Sequence, residues 1–113
     1  MNYEIITTED FERNFRRLGK KYASLPDDYE RLIEELLENP RLGTDLGNHI
    51  RKVRMAITSK NKGKRGGARV ITCNVLVSIS NTDIYLLTIY DKGEKDSISR
   101  KEILQLKIEN NLV

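Results

Sequence analysis

Apolar and polar residues recur along this chain with periods that mark most of its elements. Asn2 to Thr7 carries Ile5 and Ile6 in a short extended run, which predicts a first strand. Phe11, Phe15, Leu18 and Tyr22 then recur at i, i+4, i+7 and i+11, one face of a helix running to about Tyr22. Thr7 or Thr8 is placed to cap it, and Glu9, Asp10 and Glu12 fall where the helix dipole favours negative charge. A second helix is predicted after Ser24, with Pro26 in its first turn and Tyr29, Leu32, Ile33, Leu36 and Leu37 as a wide apolar stripe. Asn39-Pro40 ends it, because proline disfavours helical geometry in the residue before it.

The second half of the chain has a shorter period. Arg41 to Asn48 reads as a loop. Ile50 to Ile57 reads as a strand, with Val53, Met55 and Ile57 facing one way and Lys52, Arg54 and Ala56 the other. Residues 58–67, TSKNKGKRGG, form a loop in which Gly63, Gly66 and Gly67 exclude a helix and let a ligand approach the backbone. Ala68–Val77 and Ile84–Tyr90 are apolar on both sides, as suits central strands, with Ser80 to Asp83 as the turn between them. Ser99 and Glu102 form a capping box, and Ile98 and Ile103 a hydrophobic staple, for a last helix ending near Asn110. Leu104 and Ile108, with Ile103 and Leu106, are expected to dock it. The order β-α-α-β-β-β-α describes one α+β domain over residues 1–113: an antiparallel meander, with the N-terminal strand added, packed against a helical hairpin.

A chain of 113 residues can bury a core sufficient for one domain. The lone Cys73 cannot form an internal disulfide and reads as an inert core thiol, so a reducing cytoplasm is the expected location. No apolar run approaches the ~18 residues of a membrane span, and Met1 to Thr8 is too short and polar for a signal peptide.

Charge changes the picture most. Residues 41–72 hold nine basic side chains against Asp45 alone, whereas residues 1–40 and 73–113 are net acidic. Segregated charge of this kind makes a local field that attracts a polyanion, and RNA is the expected one. Lys52 and Arg54 share a strand face about 7 Å apart, near the spacing of successive phosphates. Arg69 opens the next strand, and Tyr90 and Lys92 stand at the end of the last. Arg51, Lys60, Lys62, Lys64, Arg65 and Lys95 are expected to grip phosphates, since flexible cations carry little sequence information. The sequence offers no His, Cys and carboxylate cluster with metal-ligand spacing, and no phosphate-binding P-loop.

Taken together, the strand HIRKVRMA, the loop and strand SKNKGKRGGARVI, and IYLLTIYDKGEKDSIS resemble the HigB branch of the RelE/ParE toxins of bacterial type II toxin–antitoxin systems. The helix exit Asn39-Pro40 with Gly43 fits as well, and the resemblance covers nearly the whole chain. It implies a cytoplasmic, RelE-like toxin, monomeric by itself, that cuts messenger RNA in the ribosomal A site and is silenced by a neighbouring helix-turn-helix antitoxin. The implied chemistry needs no metal or cofactor. The RNA 2′-hydroxyl attacks the adjacent phosphate and leaves a 2′,3′-cyclic phosphate and a 5′-hydroxyl. Lys52, Arg54 and Arg69 match the family's basic strand positions. Arg69 would fork the scissile phosphate, Lys52 would act as base with its protonated form disfavoured by crowding, and Arg54 or Lys92 would serve the leaving oxygen. The family's arginine after the last strand and its base-stacking tyrosine have no counterpart here, where Gly93 and Ser99 stand. Lys92 or Lys95, and Tyr90, are the expected replacements. His49 is read as structural. The ParE branch, which shares the fold and poisons gyrase by binding it, is one alternative, and a degenerate RNA-binding member with weak cleavage is the other.

Overall fold

The computed structural model describes residues 1–112. Five strands and three helices follow one another as β1 (Asn2–Thr7), α1 (Glu9–Lys21), α2 (Leu25–Glu38), β2 (Thr44–Gly47), β3 (Ile50–Met55), β4 (Ala68–Ser78), β5 (Asn81–Asp91) and α3 (Arg100–Glu109). They form one sheet in the order β1-β5-β4-β3-β2, with β1 parallel to β5 and every other pair antiparallel.

Each sheet face has its own apolar layer. On the first, Phe11 and Leu18 of α1 and Leu25, Leu32 and Leu36 of α2 pack on Val53, Met55, Val70, Ile84, Leu86 and Ile89. On the second, Leu106 of α3 joins Ile50, Ile71, Cys73, Leu87 and Tyr90. The caps follow their side-chain chemistry. Thr8 accepts a hydrogen bond from the Phe11 amide, and its hydroxyl also donates to the carbonyls of Leu86 and Leu87, tying α1 to β5. Ser99 and Glu102 form the expected reciprocal capping box of α3.

The structure corrects the sequence reading at several elements. Residues Thr44–Gly47, expected to be loop, are an edge strand with every residue exposed, so no apolar alternation announced it. A two-residue turn joins it to β3, with Asn48 and His49 at φ of 51° and 66°, the geometry of a type I′ hairpin. Strand β3 ends at Met55, and a short 3-10 turn, Thr58–Lys60, opens the basic loop. The β4–β5 turn is Ile79-Ser80, not Ser80 to Asp83. Asn81 to Asp83 are strand because they pair with Asn2 to Glu4 of β1 as well as with β4. Finally, α3 docks by Leu106 and Ile103, while Leu104 and Ile108 lie on its exposed side.

One irregularity decides what β5 presents. The ladder shifts between Ile71 and Thr72, which face Thr88 and Leu86, so Leu87 is the extra residue of a bulge. Before it, even-numbered residues of β5 face the helical hairpin. After it, odd-numbered residues do, and Thr88 and Tyr90 turn to the second face.

The docking face of α3 yields a direct check. Leu106→Ala is expected to cost ~2–4 kcal/mol and Leu104→Ala less than ~0.5 kcal/mol, measured by urea unfolding. The reverse order of costs would mean that α3 sits the other way round.

Candidate functional site

Cross-strand register assembles the basic cluster. Arg54 of β3 lies directly opposite Arg69 of β4, and Arg69 directly opposite Tyr90 of β5. The adjacent row is Lys52, Ile71 and Thr88. Lys92 follows Tyr90, its amide donating to the Gly67 carbonyl at 3.0 Å. Lys52, Arg54, Arg69 and Tyr90 therefore share one sheet face, with Lys92 at its end.

These side chains differ in freedom. Arg54 is exposed and Lys52 half-buried, and among the described residues neither has a carboxylate within ion-pair distance. Arg69 is only 5% exposed. Its Nη1 donates to the carbonyls of Lys64 at 3.0 Å and Ala68 at 3.2 Å, and its Nη2 to that of Arg65 at 3.0 Å. Lys92 Nζ donates to both the carboxylate and the main-chain carbonyl of Asp96, each at 2.7 Å. That hydrogen bond, then the charges of Lys92 and Lys52, hold the exposed Asp96 carboxyl below its usual range. Asp96 therefore stands as a carboxylate beside the cluster.

Tyr90 is 6% exposed and packs in the second apolar layer, so its ring offers no face to a base in this arrangement. Burial raises its hydroxyl above the ordinary phenol range, with the Arg69 charge opposing. Among the described residues that hydroxyl has no hydrogen-bond partner, leaving an unused donor beside Arg69.

The remaining expected grips disperse. Arg51 alternates to the opposite face of β3 and lies away from Lys52 and Arg54. Lys60 is a structural cation: its Nζ donates at 2.7 Å to Asp91, whose side chain is 1% exposed. Lys64 pairs with Glu35 of α2, and Lys95 with Glu102 of α3. Lys62 and Arg65 remain exposed and, among the described residues, have no carboxylate partner. His49 sits in the β2–β3 turn, five residues from Arg54 and thus about 17 Å away along the strand. Cys73 is buried, and burial raises its thiol above the usual range.

Sequence reasoning missed the two residues that hold the loop. Asp28, in the first turn of α2, accepts from the Thr58 amide at 3.0 Å, the Thr58 hydroxyl at 2.6 Å and the Ser24 hydroxyl at 2.8 Å, and pairs with Arg31. Asp91 accepts from Lys60, from the Tyr22 hydroxyl at 2.5 Å and from the Gly93 amide at 2.9 Å. An aspartate in a first helical turn reads as dipole compensation, and one ending a strand reads as a turn residue. Only the partners brought by the fold distinguish them.

A scan against protein-family models finds none that matches this chain. Among solved structures, the free state of a double arginine-to-alanine mutant of the E. coli toxin RelE superposes with a TM-score of 0.57 at 14% identity. The match covers 97% of this chain and 98% of that one. The chain has a RelE-like fold. Helices on both faces of one sheet and the return of β1 beside β5 therefore belong to a known architecture, and the expected fold class holds.

Both loop-holding carboxyls sit below their usual range. Burial pushes each up, but the bonds from Thr58, Ser24 and Arg31 to Asp28, and from Lys60, Tyr22 and Gly93 to Asp91, outweigh it. A depressed folded pKa gives stability that is complete above the unfolded value of ~3.9 and is lost as pH falls through the folded value. Thermal unfolding followed from pH 6 to pH 2 is expected to show that loss below about pH 4, and Asp91→Asn to flatten it. At neutral pH Asp91→Ala, which strands the Lys60 ammonium, is expected to cost ~3–5 kcal/mol.

Proposed function

We propose that this chain is the toxin of a type II toxin–antitoxin module, a ribosome-dependent endoribonuclease of the HigB-like branch, which cleaves messenger RNA without a metal. The observation that carries the reading is the row Arg54–Arg69–Tyr90 with Lys52 beside it, a basic cluster on rigid strands at one end of one sheet face. The RelE-like fold and the R-K-V-R and G-G-A-R strand motifs support it.

In this reading the messenger backbone lies across the strand ends. Lys52 takes the proton from the 2′-hydroxyl, whose oxygen forms a bond to the adjacent phosphorus. The bond from phosphorus to the 5′-oxygen breaks, and that oxygen takes a proton delivered from the Arg54 and Lys92 side of the cluster. The products are a 2′,3′-cyclic phosphate and a 5′-hydroxyl. Arg69 forks the phosphate and stabilises the charge that develops on it. Tyr90, with ring and hydroxyl both buried, backs Arg69 from β5 rather than offering a stacking surface. Lys62 and Arg65, both exposed on the loop, grip flanking phosphates, and Asp96 releases Lys92 when a phosphate replaces it. The partner that silences the toxin is a helix-turn-helix antitoxin.

Induced expression is expected to arrest growth and to leave codon-positioned cuts in translated messages, read by 5′-end mapping. Arg54→Ala, at an exposed position, is expected to lower cleavage by about 10²-fold with unfolding unchanged. A DNA-damage response with intact messages would replace this reading by gyrase binding, as in the ParE branch.

A further inference from the structure

The segment between Asn61 and Gly67 carries Lys62, Lys64 and Arg65 and no acidic residue, and its side chains invite the role of an RNA grip. The hydrogen bonds give its main chain a different one. Arg69 has five N–H donors. Three are engaged, both of those on Nη1 by the carbonyls of Lys64 and Ala68 and one on Nη2 by that of Arg65. The two that remain sit on Nε and Nη2, the nitrogens of the guanidinium's side edge, and a side edge can fork a phosphate.

The segment that supplies two of these carbonyls is pinned at both ends. At its start, Thr58 is bonded to Asp28, Ser59 to Ser24, and Lys60 to Asp91. At its end, the Gly67 amide donates to the Lys64 carbonyl, and the Gly67 carbonyl accepts from Lys92. Gly67 also passes so close to β3 that a Cβ there would stand 2.2 Å from the Met55 carbonyl oxygen. Asn61 and Gly63, both with φ near 60°, turn the chain between these anchors. The path of the loop is thus fixed by contacts that use the side chain of neither Lys62 nor Arg65.

We infer that the Lys64 and Arg65 carbonyls, held by this anchored loop, are positioning groups that lock the Arg69 guanidinium end-on and present its side edge to the phosphate. For its catalytic consequence the inference rests on the nuclease reading above; the lock itself does not. It also explains why an arginine can be nearly buried and still serve an anion. Lysine at position 69, a point charge with no second edge, could not be held and offered at once.

The test separates main chain from side chains. Gly67→Ala must move the end of the loop off β3, and is expected to lower kcat for messenger cleavage on programmed ribosomes by about 10²-fold, with KM changed less than about threefold. Lys62→Ala combined with Arg65→Ala removes charge and keeps the carbonyls, and is expected to raise KM while kcat stays within about twofold. A folded Gly67→Ala protein with normal kcat, or a collapse of kcat in the double variant, overturns the inference. A second measurement on the wild-type protein is independent of activity and needs a variant only for assignment. Nitrogen-15 spectra of the arginine side chains, with Arg69 assigned by its loss in Arg69→Lys, are expected to show separate, slowly exchanging Nη–H signals for Arg69. Averaged Arg69 signals overturn the lock whether or not the protein cuts RNA. Separate signals in a protein that cuts no RNA retain the lock and remove the nuclease reading.

Discussion

Two buried carboxylates, Asp28 and Asp91, hold the charged half of this molecule in place. Both face the side of the sheet covered by the helical hairpin, and both reach the opening turn of the basic loop, Asp28 at Thr58 and Asp91 at Lys60. A loop with Lys60, Lys62, Lys64 and Arg65 repels itself, and in isolation would spread into solvent. Neutralising Lys60 in a buried pair and tying Thr58 by two bonds sets the loop's direction before any ligand arrives. Ser24 shares the work. It makes no side-chain cap for α2, and its hydroxyl instead bonds to Asp28 while Ser59 bonds to Ser24.

What that clamp serves lies on the other side of the sheet. Register places Arg54, Arg69 and Tyr90 in one row, and the bulge at Leu87 gives β5 the parity that the row requires. Because side chains alternate with a period of two, the same residues paired in an unbroken ladder, with Leu87 in register rather than bulged, would aim Asp91 at the cluster and Tyr90 at the helices. The bulge at Leu87 therefore serves both faces. It sends Asp91 toward Tyr22 and Lys60, and Tyr90 toward Arg69.

The field at the site is narrower than the count of basic residues implies. Lys60, Lys64, Lys92 and Lys95 each have a carboxylate partner, and Arg51 lies across the sheet. Of the other cations expected at the site, Lys52 and Arg54 on the strand and Lys62 and Arg65 on the loop have no carboxylate partner among the described residues, and they flank the buried Arg69. In the proposed reading, the strand cations act on one phosphate while the loop cations touch its neighbours. Asp96 keeps Lys92 occupied through an exposed pair, a contact weak enough in water for a phosphate to displace.

The sequence by itself determined the helices, the two central strands and the face that carries Lys52 and Arg54, because these depend on local periodicity and caps. The i, i+4 and i+7 spacing of Phe11, Phe15 and Leu18, the capping box at Ser99 and the alternation through Val53 and Met55 are each written within a dozen residues. It could not show β2, whose four residues are all exposed, nor the α3 docking face, since Leu104 and Ile108 are as apolar as Ile103 and Leu106. Nor could it divide structural cations from free ones. Whether Lys60 meets Asp91, whether Arg69 meets the Lys64 carbonyl, and which way Tyr90 points depend on partners 31, 5 and 21 positions away and on a bulge that local propensity does not mark. Composition sets the sign of the charge, and the pairing of strands decides where it acts.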